Sequence, residues 1–496
     1  MPDLPARRSL WLRLLLGAVL IVSGSASATA VAAFREVDRV VTAFEEAGPL
    51  DLGDEVAEAD AGKPQTIMLI GSDRRAKTSQ DARSGASSGA RSDTLILVRL
   101  DPEQDSTALL SLPRDLKVRI PGHGTDRLNA AYSEGGARLA VRTVKQLTGL
   151  SVNHVVNVDF AGFREAVDAI DCVYVDIDRR YYNDNTGPDK YATIDIRPGY
   201  QRLCGQDGLD YVRHRHSDND IVRAARQQEF LRQAKQQVGV GRVFADRQRL
   251  LDVFSKYTES DIDSRKAVLR LGELVARAAG KPIHQVQFEG GSEVSAYGVA
   301  YVTADSRSVR KLADEFLGVG RKTQARSRRA DRRPARRKKP RRPAARARVA
   351  DGSAAGRRQA LQVVGTRKWR HPVFYPRKRT PSGAYVGEPR VYGIRAPDGR
   401  VYSAYRMVLQ RSPRSIGDFY GLQGTTWKAP PILERPSETR RLDGRRFELH
   451  YDGDRLRLVA WRTRDGAFWV SNSLKLTLSE AQMLAIARSA RPLGER

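Results

Sequence analysis

From Gln65 onward, short apolar runs alternate with stretches of helical spacing. Residues 66–71 (Thr-Ile-Met-Leu-Ile-Gly), 94–98 (Thr-Leu-Ile-Leu-Val) and 107–112 (Thr-Ala-Leu-Leu-Ser-Leu) read as strands buried on both faces. The Ser-, Gly- and Ala-rich stretch 76–90 between the first two reads as a loop. Apolar positions then recur at helical spacing over 129–147, with Gly149 as a stop. A strand over 152–158, a helix over 160–170 and a strand over 173–177 follow. If residues 211–216 are extended, Arg213 and Arg215 point to one face and His214 and His216 to the other. Residues 218–238, 246–257 and 265–279 read as helices, and 286–288 as a late strand. The alternation predicts an α/β fold, an α-β-α sandwich around a central mixed sheet, over residues 65–320.

The pattern stops at 321–358, a stretch of Arg, Pro, Ala and Lys that cannot bury a core and reads as a disordered, self-repelling linker. Periodicity returns in 359–496, where short strands (391–394, 447–451) and a closing amphipathic helix over 478–490, capped by Ser479 or Thr477, predict a smaller β-rich α+β domain.

Charge sharpens this division. The chain of 496 residues carries a formal net charge of +28. Residues 321–348 hold 15 Lys/Arg against the single Asp331, a net +14 and half the total. In a cytosolic protein such a run suggests a nucleic-acid tail; outside a cell its partners would be anionic polymers or lipid headgroups.

The N-terminus favours the second setting. Arg7, Arg8 and Arg13 precede an uncharged stretch over 14–34, long enough for one helical membrane crossing. Basic residues before it place the N-terminus in the cytoplasm and the rest of the chain outside, in a single-pass cell-membrane protein with its working domains extracytoplasmic. The expected organisation is 1–36 cytoplasmic end and transmembrane anchor, then 37–64 connector. The competing reading is a cleaved signal peptide, with small-residue sites at Ala26-Ser27-Ala28 and Ala28-Thr29-Ala30. In an oxidising compartment Cys172 and Cys204 pair or remain two buried thiols. With no third cysteine to compete, a disulfide is expected, contributing about 3 kcal/mol by loop closure.

Candidate chemistry gathers at strand ends. Asp73 follows the first strand, Arg91 and Asp93 open the second, and Arg114 and Asp115 follow the third. Adjacent strands would bring Asp73, Arg91, Asp93 and Arg114 to one rim of the sheet. Two carboxylates among guanidinium groups suit a divalent metal, Mg²⁺ or Mn²⁺, holding a polyphosphate. A second cluster runs from Arg213 through Arg215 to Asp220, Arg223, Arg226 and Gln227. On a helix, Asp220, Arg223 and Gln227 share one stripe with Arg226 at its edge. The bland reading is surface ion pairs of little energy. The i, i+2 spacing of His214 and His216 fits a structural role better than a zinc site.

The succession Gly71-Ser72-Asp73-Arg74, Arg91-Ser92-Asp93-Thr94, Ser111-Leu112-Pro113-Arg114-Asp115, Arg127-Leu128-Asn129-Ala130-Ala131-Tyr132, Gly135-Gly136 and Arg213-His214-Arg215 through Asp220, Arg223 and Arg226-Gln227-Gln228 resembles the LytR-CpsA-Psr family of cell-wall enzymes over about residues 65–240. The resemblance implies a phosphotransferase. It would move a glycopolymer from a polyprenyl diphosphate carrier to a peptidoglycan hydroxyl, forming a phosphodiester and releasing polyprenyl phosphate. It implies Mg²⁺ on Asp73 and Asp93, and a diphosphate held by Arg91, Arg114, Arg213, Arg215 and Arg223 with Gln227 beside them. Asp73, Asp93 or Asp220 would serve as base. Where the family often has a Gly-Gly turn, this chain has Ile170-Asp171-Cys172, and the Cys172–Cys204 pair then looks like a replacement source of rigidity. The implied partners are the lipid-linked polymer, peptidoglycan and the membrane, with no nucleic acid. Other readings of the same residues are a non-catalytic binder of anionic polymer or carrier lipid, an attenuator of transcription, and hydrolysis of the diphosphate by water.

Overall fold

The computed structural model describes residues 38–43, 45–46, 48–58, 60–73, 92–186, 192–215, 218–238, 246–278, 281, 283–296, 298–318 and 347–495. The expected membrane segment, the 76–90 loop, Arg91 and all but the end of the basic linker lie outside the described residues. Among the described residues no helix is long and apolar enough to cross a membrane.

The first unit is built from β1 (Gln65–Ser72), β2 (Ser92–Asp101), β3 (Ser106–Leu112), α1 (Leu128–Thr148), β4 (His154–Asp159), α2 (Phe160–Ala169), β5 (Val173–Ile177), β6 (Gly199–Leu203), α3 (Gly205–Arg213), α4 (Asp220–Gln237), α5 (Arg247–Tyr257), β7 (Thr258–Ser260), α6 (Arg265–Ala278), β8 (Ile283–Val286) and α7 (Ser306–Leu317). Its mixed sheet runs Gly48–Pro49, β7, β4, β1, β2, β3, β8. β1 is antiparallel to β2 and parallel to β4, and β3 is antiparallel to β2 and parallel to β8. The period of two along β1 sends Met68 and Ile70 into the main core with Leu139, Val144 and Phe316 of α1 and α7, while Ile67 and Leu69 pack toward Leu271 and Leu274 of α6. Helices therefore cover both faces, and the strands are apolar throughout for that reason.

Helix α1 ends where Gly149 adopts φ 70°, and it is interrupted at Gly135 and Gly136, the latter at φ 61°. A side chain at either left-handed position would cost energy that glycine does not.

Three expectations are corrected. Residues 211–213 form the last turn of α3, because Leu209, Tyr211 and Val212 are buried from a helix packed on α2, and the extended reading fails there. The late strand is Ile283–Val286, drawn earlier in sequence by parallel pairing with β3. The helix α8 (Ser353–Gly365) begins inside the stretch read as linker, because Ala360 and Val363 are buried in the second unit's core. Helix α7 and the hairpin Gly291–Val294 with Ala300–Thr303 were not anticipated. The disulfide between Cys172 and Cys204 is formed, joining the turn after α2 to the start of α3.

The second unit contains α8, β9 (Val401–Gln410), β10 (Phe419–Thr425), β11 (Arg445–Asp452), β12 (Arg455–Arg462), β13 (Ala467–Ser471) and α9 (Glu480–Ser489), which carries a Ser479–Gln482 capping box. Its eight-stranded sheet is antiparallel, ordered Ala384–Tyr385, β9, β10, β13, β12, β11, Glu438–Leu442, with Arg390–Arg395 also on β9. The sheet docks on the first unit through a shared core. Tyr174 and Tyr200 of the first unit pack with Ile394, Ile432, Leu458 and Trp469. Buried Asp176 Oδ2 accepts from Arg406 Nη1 at 3.3 Å and from Trp469 Nε1 at 3.1 Å.

Candidate active site at the sheet rim

Antiparallel pairing sets the C-terminal end of β1 beside the N-terminal end of β2, with Ser72 opposite Ser92. Leu95 opposite Leu112 then brings the end of β3 alongside. The rim so formed holds Asp73 just past β1, Asp93 within β2 and Arg114 just past β3. Arg114 Nη1 donates to Asp93 Oδ1 at 2.8 Å. On the other carboxylate oxygen, Arg213 Nε stands at 4.0 Å, its guanidinium 3.9 Å from the Phe160 ring centroid at the start of α2.

Helix α4 delivers the rest. Asn219 caps it by accepting from the Val222 N–H. The stripe through Asp220, Arg223 and Gln227 then faces the rim. Arg223 Nη2 meets Asp220 Oδ1 at 2.5 Å, and Asp220 Oδ2 accepts from the Asp115 N–H at 2.9 Å. Arg114 Nε lies 3.9 Å from Asp220. Gln227 Nε2 donates to Thr94 Oγ1 at 2.9 Å, tying the helix to β2. Arg223 is 6 % exposed, so its charge sits in a medium where electrostatics act strongly.

The titrations follow this geometry. Burial alone would lower Arg114, but Asp115, Asp220 and Asp93 raise it above the ordinary arginine value. Burial lowers Arg223, with Asp220 opposing and Arg114 reinforcing the shift. Burial and then the neighbouring Asp220 raise the Asp115 carboxyl, against the pull of Arg114, Arg223 and Arg127.

Of the residues singled out in the sequence, Asp93, Arg114, Arg213, Asp220, Arg223 and Gln227 come together. Asp73 is placed at the same strand end, exposed, and Arg215 follows α3, half-buried. Arg91 and His216 lie outside the described residues. Arg226 is corrected: it is fully buried on the far side of α4, paired with Asp218, bonded to the His214 carbonyl and set over the Tyr181 ring. Asp115, Thr94 and Arg127 stand in the sequence motifs without an assigned role, and the sequence carries no signal for Phe160, which reaches the site only through packing.

Whether this rim suits a divalent cation is a question of donors. Asp73 and Asp93 flank the Ser72–Ser92 pair, and both hydroxyls are wholly buried with no hydrogen-bond partner among the described residues. An all-oxygen set of this kind fits a hard cation such as Mg²⁺. The grouping of Asp168 with Cys172 and Cys204 does not, because both sulfurs are in the disulfide.

Residues 24–316 match the LytR_cpsA_psr family. The chain belongs to that family. Curated LytR-CpsA-Psr relatives include the polyisoprenyl-teichoic acid–peptidoglycan teichoic acid transferase TagT of Bacillus subtilis, 33 % identical over 36 % of this chain and 53 % of TagT. TagU of Enterococcus faecalis, with the same transferase description, is 30 % identical over 51 % of this chain and 79 % of its own length. The probable cell wall biosynthesis protein LcpB of Corynebacterium glutamicum is 34 % identical over 33 % of this chain and 39 % of its own length. This chain thus spans about half of TagT and less of LcpB. Among solved structures, TagT bound to LI-WTA is 25 % identical, covering 54 % of this chain and 98 % of that one, with a TM-score of 0.44.

Proposed function

We propose that this protein is an extracytoplasmic, membrane-anchored phosphotransferase that moves a glycopolymer from a polyprenyl diphosphate carrier to a peptidoglycan hydroxyl. The observation that carries the reading is the convergence of Arg114, Arg213 and Arg223 with Asp93 and Asp220 at one rim of the sheet. Family membership and the transferase names of TagT and TagU support the reaction class.

In the reaction the acceptor oxygen forms a bond to the polymer-bearing phosphorus and the bridging P–O bond breaks. Polyprenyl phosphate leaves with the bridging oxygen, and the acceptor proton passes to a base. Charge grows on the bridging and non-bridging oxygens, so positioning and fixed cations supply most of the acceleration. Arg114 and Arg223, both held by Asp220, are pre-oriented forks for the diphosphate. Arg213, braced on Phe160, approaches from α3. Asp115 is added to the candidate bases: its raised pKa brings a carboxylate nearer to the poise of a proton acceptor, and Arg127 stands 3.8 Å away. Asp73 and Asp93 would hold Mg²⁺, which when bound neutralises diphosphate charge.

The test uses the full chain with a polyprenyl-diphosphate-linked saccharide and a peptidoglycan fragment. Release of polyprenyl phosphate should fall at least 100-fold in Arg114→Ala and in Arg223→Ala, matching the loss of a charge-stabilising donor. Chelation with EDTA should abolish release and added Mg²⁺ restore it. Unimpaired release in both variants would remove the reading. Tight lipid binding without release would favour a capture protein.

A further inference from the structure

Some distance from the rim, the second half of α4, the start of β8 and the edge of the second unit's sheet enclose a cavity of about 270 Å³. Its charged lining comes from both units: Arg232, Lys235 and Lys281 on one side, Arg435, His450 and Arg457 on the other. Arg223 and Lys235 are separated by about 18 Å along the helix at 1.5 Å per residue, so this cavity is separate from the diphosphate rim.

Five cations around one cavity need countercharge, and the protein supplies it unevenly. Arg232 is paired with Glu229, and Lys281 meets Asp105 at 2.6 Å. Lys235 donates to Thr107 Oγ1 at 2.9 Å and to the Lys281 carbonyl at 3.1 Å, both neutral, and has no carboxylate within 4.0 Å among the described residues. Arg457 is 8 % exposed and makes no side-chain hydrogen bond or ion pair among the described residues; Glu229 and Asp452 attract it only from further off. His450 is 3 % exposed and its Nε2 has no partner among the described residues. A buried donor or cation left without a partner is costly, and a ligand that supplies the missing oxygens recovers that cost.

We propose that this interdomain cavity is a binding site for a phosphate group, seated between Lys235 and Arg457 with His450 as a neutral donor. The arginines offer forked N–H donors matched to phosphate oxygens. The volume lies below the roughly 300–1,000 Å³ of pockets that enclose a whole organic ligand, and so suits a phosphoryl group with its substituent left outside. The titrations agree: burial pushes Lys235 down to about 8, burial and Arg232 push Arg457 down to about 10, and burial with Arg457 and Arg232 pushes His450 down to about 3. The shifts of Lys235 and Arg457 record positive charge that a bound anion would stabilise, and that of His450 keeps its imidazole a neutral donor.

The low-pKa amine supplies the readout. In the full chain at pH 8, acetylation of Lys235 followed by mass spectrometry should slow at least fivefold with saturating inorganic phosphate, while exposed Lys428 is unaffected. The protection should persist in Arg114→Ala, whose rim is impaired, and disappear in Arg435→Gln, whose exposed side chain can change without disturbing the core. Arg457→Gln gives a second arm if it melts near the wild-type temperature. Dimethyl phosphate separates the sources: protection by both probes points to a phosphodiester within a polymer or lipid headgroup, and protection by inorganic phosphate alone to free phosphate or a monoester end. Failure of both probes to protect, protection lost in Arg114→Ala, or protection kept in Arg435→Gln overturns the proposal.

Discussion

Asp115 and Asp220 illustrate how two carboxylates in one buried cluster take different roles. Asp220 is bound by Arg223 and by a backbone N–H, while Asp115 feels both burial and the Asp220 charge. Replacing Asp220 by Asn should therefore lower the Asp115 pKa, as read by carbonyl-carbon NMR; an unmoved Asp115 would contradict the coupling. Asp171 and Cys172 make a different residue-scale point. Both have left-handed backbones, at φ 62° and 66°, and Asp171 is held by Arg202. Here the chain does with a disulfide what glycines would do without strain. Removing the bridge as Cys172→Ser/Cys204→Ser should cost about 3 kcal/mol. The Cys172→Gly/Cys204→Ser chain should lose about 1 kcal/mol less in urea unfolding, because glycine relieves the φ penalty.

Helix α4 is the element on which the site depends, and its two sides use arginine for opposite ends. Arg223 faces the rim. Arg226, three residues on, is sealed between Asp218 and the rings of Tyr181 and Tyr211. Burial alone would raise Asp218, yet Arg226, His214 and Arg179 hold it well below the usual carboxylate range. Truncating Arg226 to Met should strand that carboxylate and cost about 3–5 kcal/mol. The double variant Arg226→Met/Asp218→Asn should recover a large part of the loss, and denaturant titration of the three proteins decides it. Sequence periodicity could place Asp220, Arg223 and Gln227 on one stripe, and it did. It could not say which side of Arg226's edge position would win, because Tyr181 and Asp218, which decide it, come from elsewhere in the chain.

The second unit is continuous with the core of the first. Tyr174, Tyr200 and Asp176 are buried only because Trp469, Ile432 and Arg406 cover them. Val222, in the first turn of α4, packs with Leu474 and against Gly417 of the second unit. The helix that carries the site is thus braced from the accessory side. His450 makes this contact sensitive to pH. Its folded pKa of about 3 lies below the ordinary 6.5, so it contributes stability that is complete above pH 6.5 and is lost as pH falls toward 3. The stability difference between wild type and His450→Gln should therefore shrink by about 2 kcal/mol from pH 6.5 to pH 5. A difference that stays constant across that range would show that the imidazole is not kept neutral. Asp452, pushed up to about 6 chiefly by burial, acts with the opposite sign, so the comparison has to be made between the two proteins and not on wild type alone.

The sequence by itself determined the strands and most helices of the first unit, because a strand buried on both faces must be apolar along its length and a helix must show its period. It also placed Asp93 with Arg114 at one rim, since sequential strands tend to be neighbours, and Asp220 with Arg223 on one helical stripe; that the two groups meet was implied only by the family resemblance. Only the tertiary structure decided that Arg226 turns inward, that residues 211–213 are helical, and that α8 begins before the basic segment has ended. The same holds for the cation-lined cavity, whose members lie as far apart in sequence as Arg232 and Arg457. In each case the deciding partner is distant along the chain, and burial against it outweighs what the local pattern prefers.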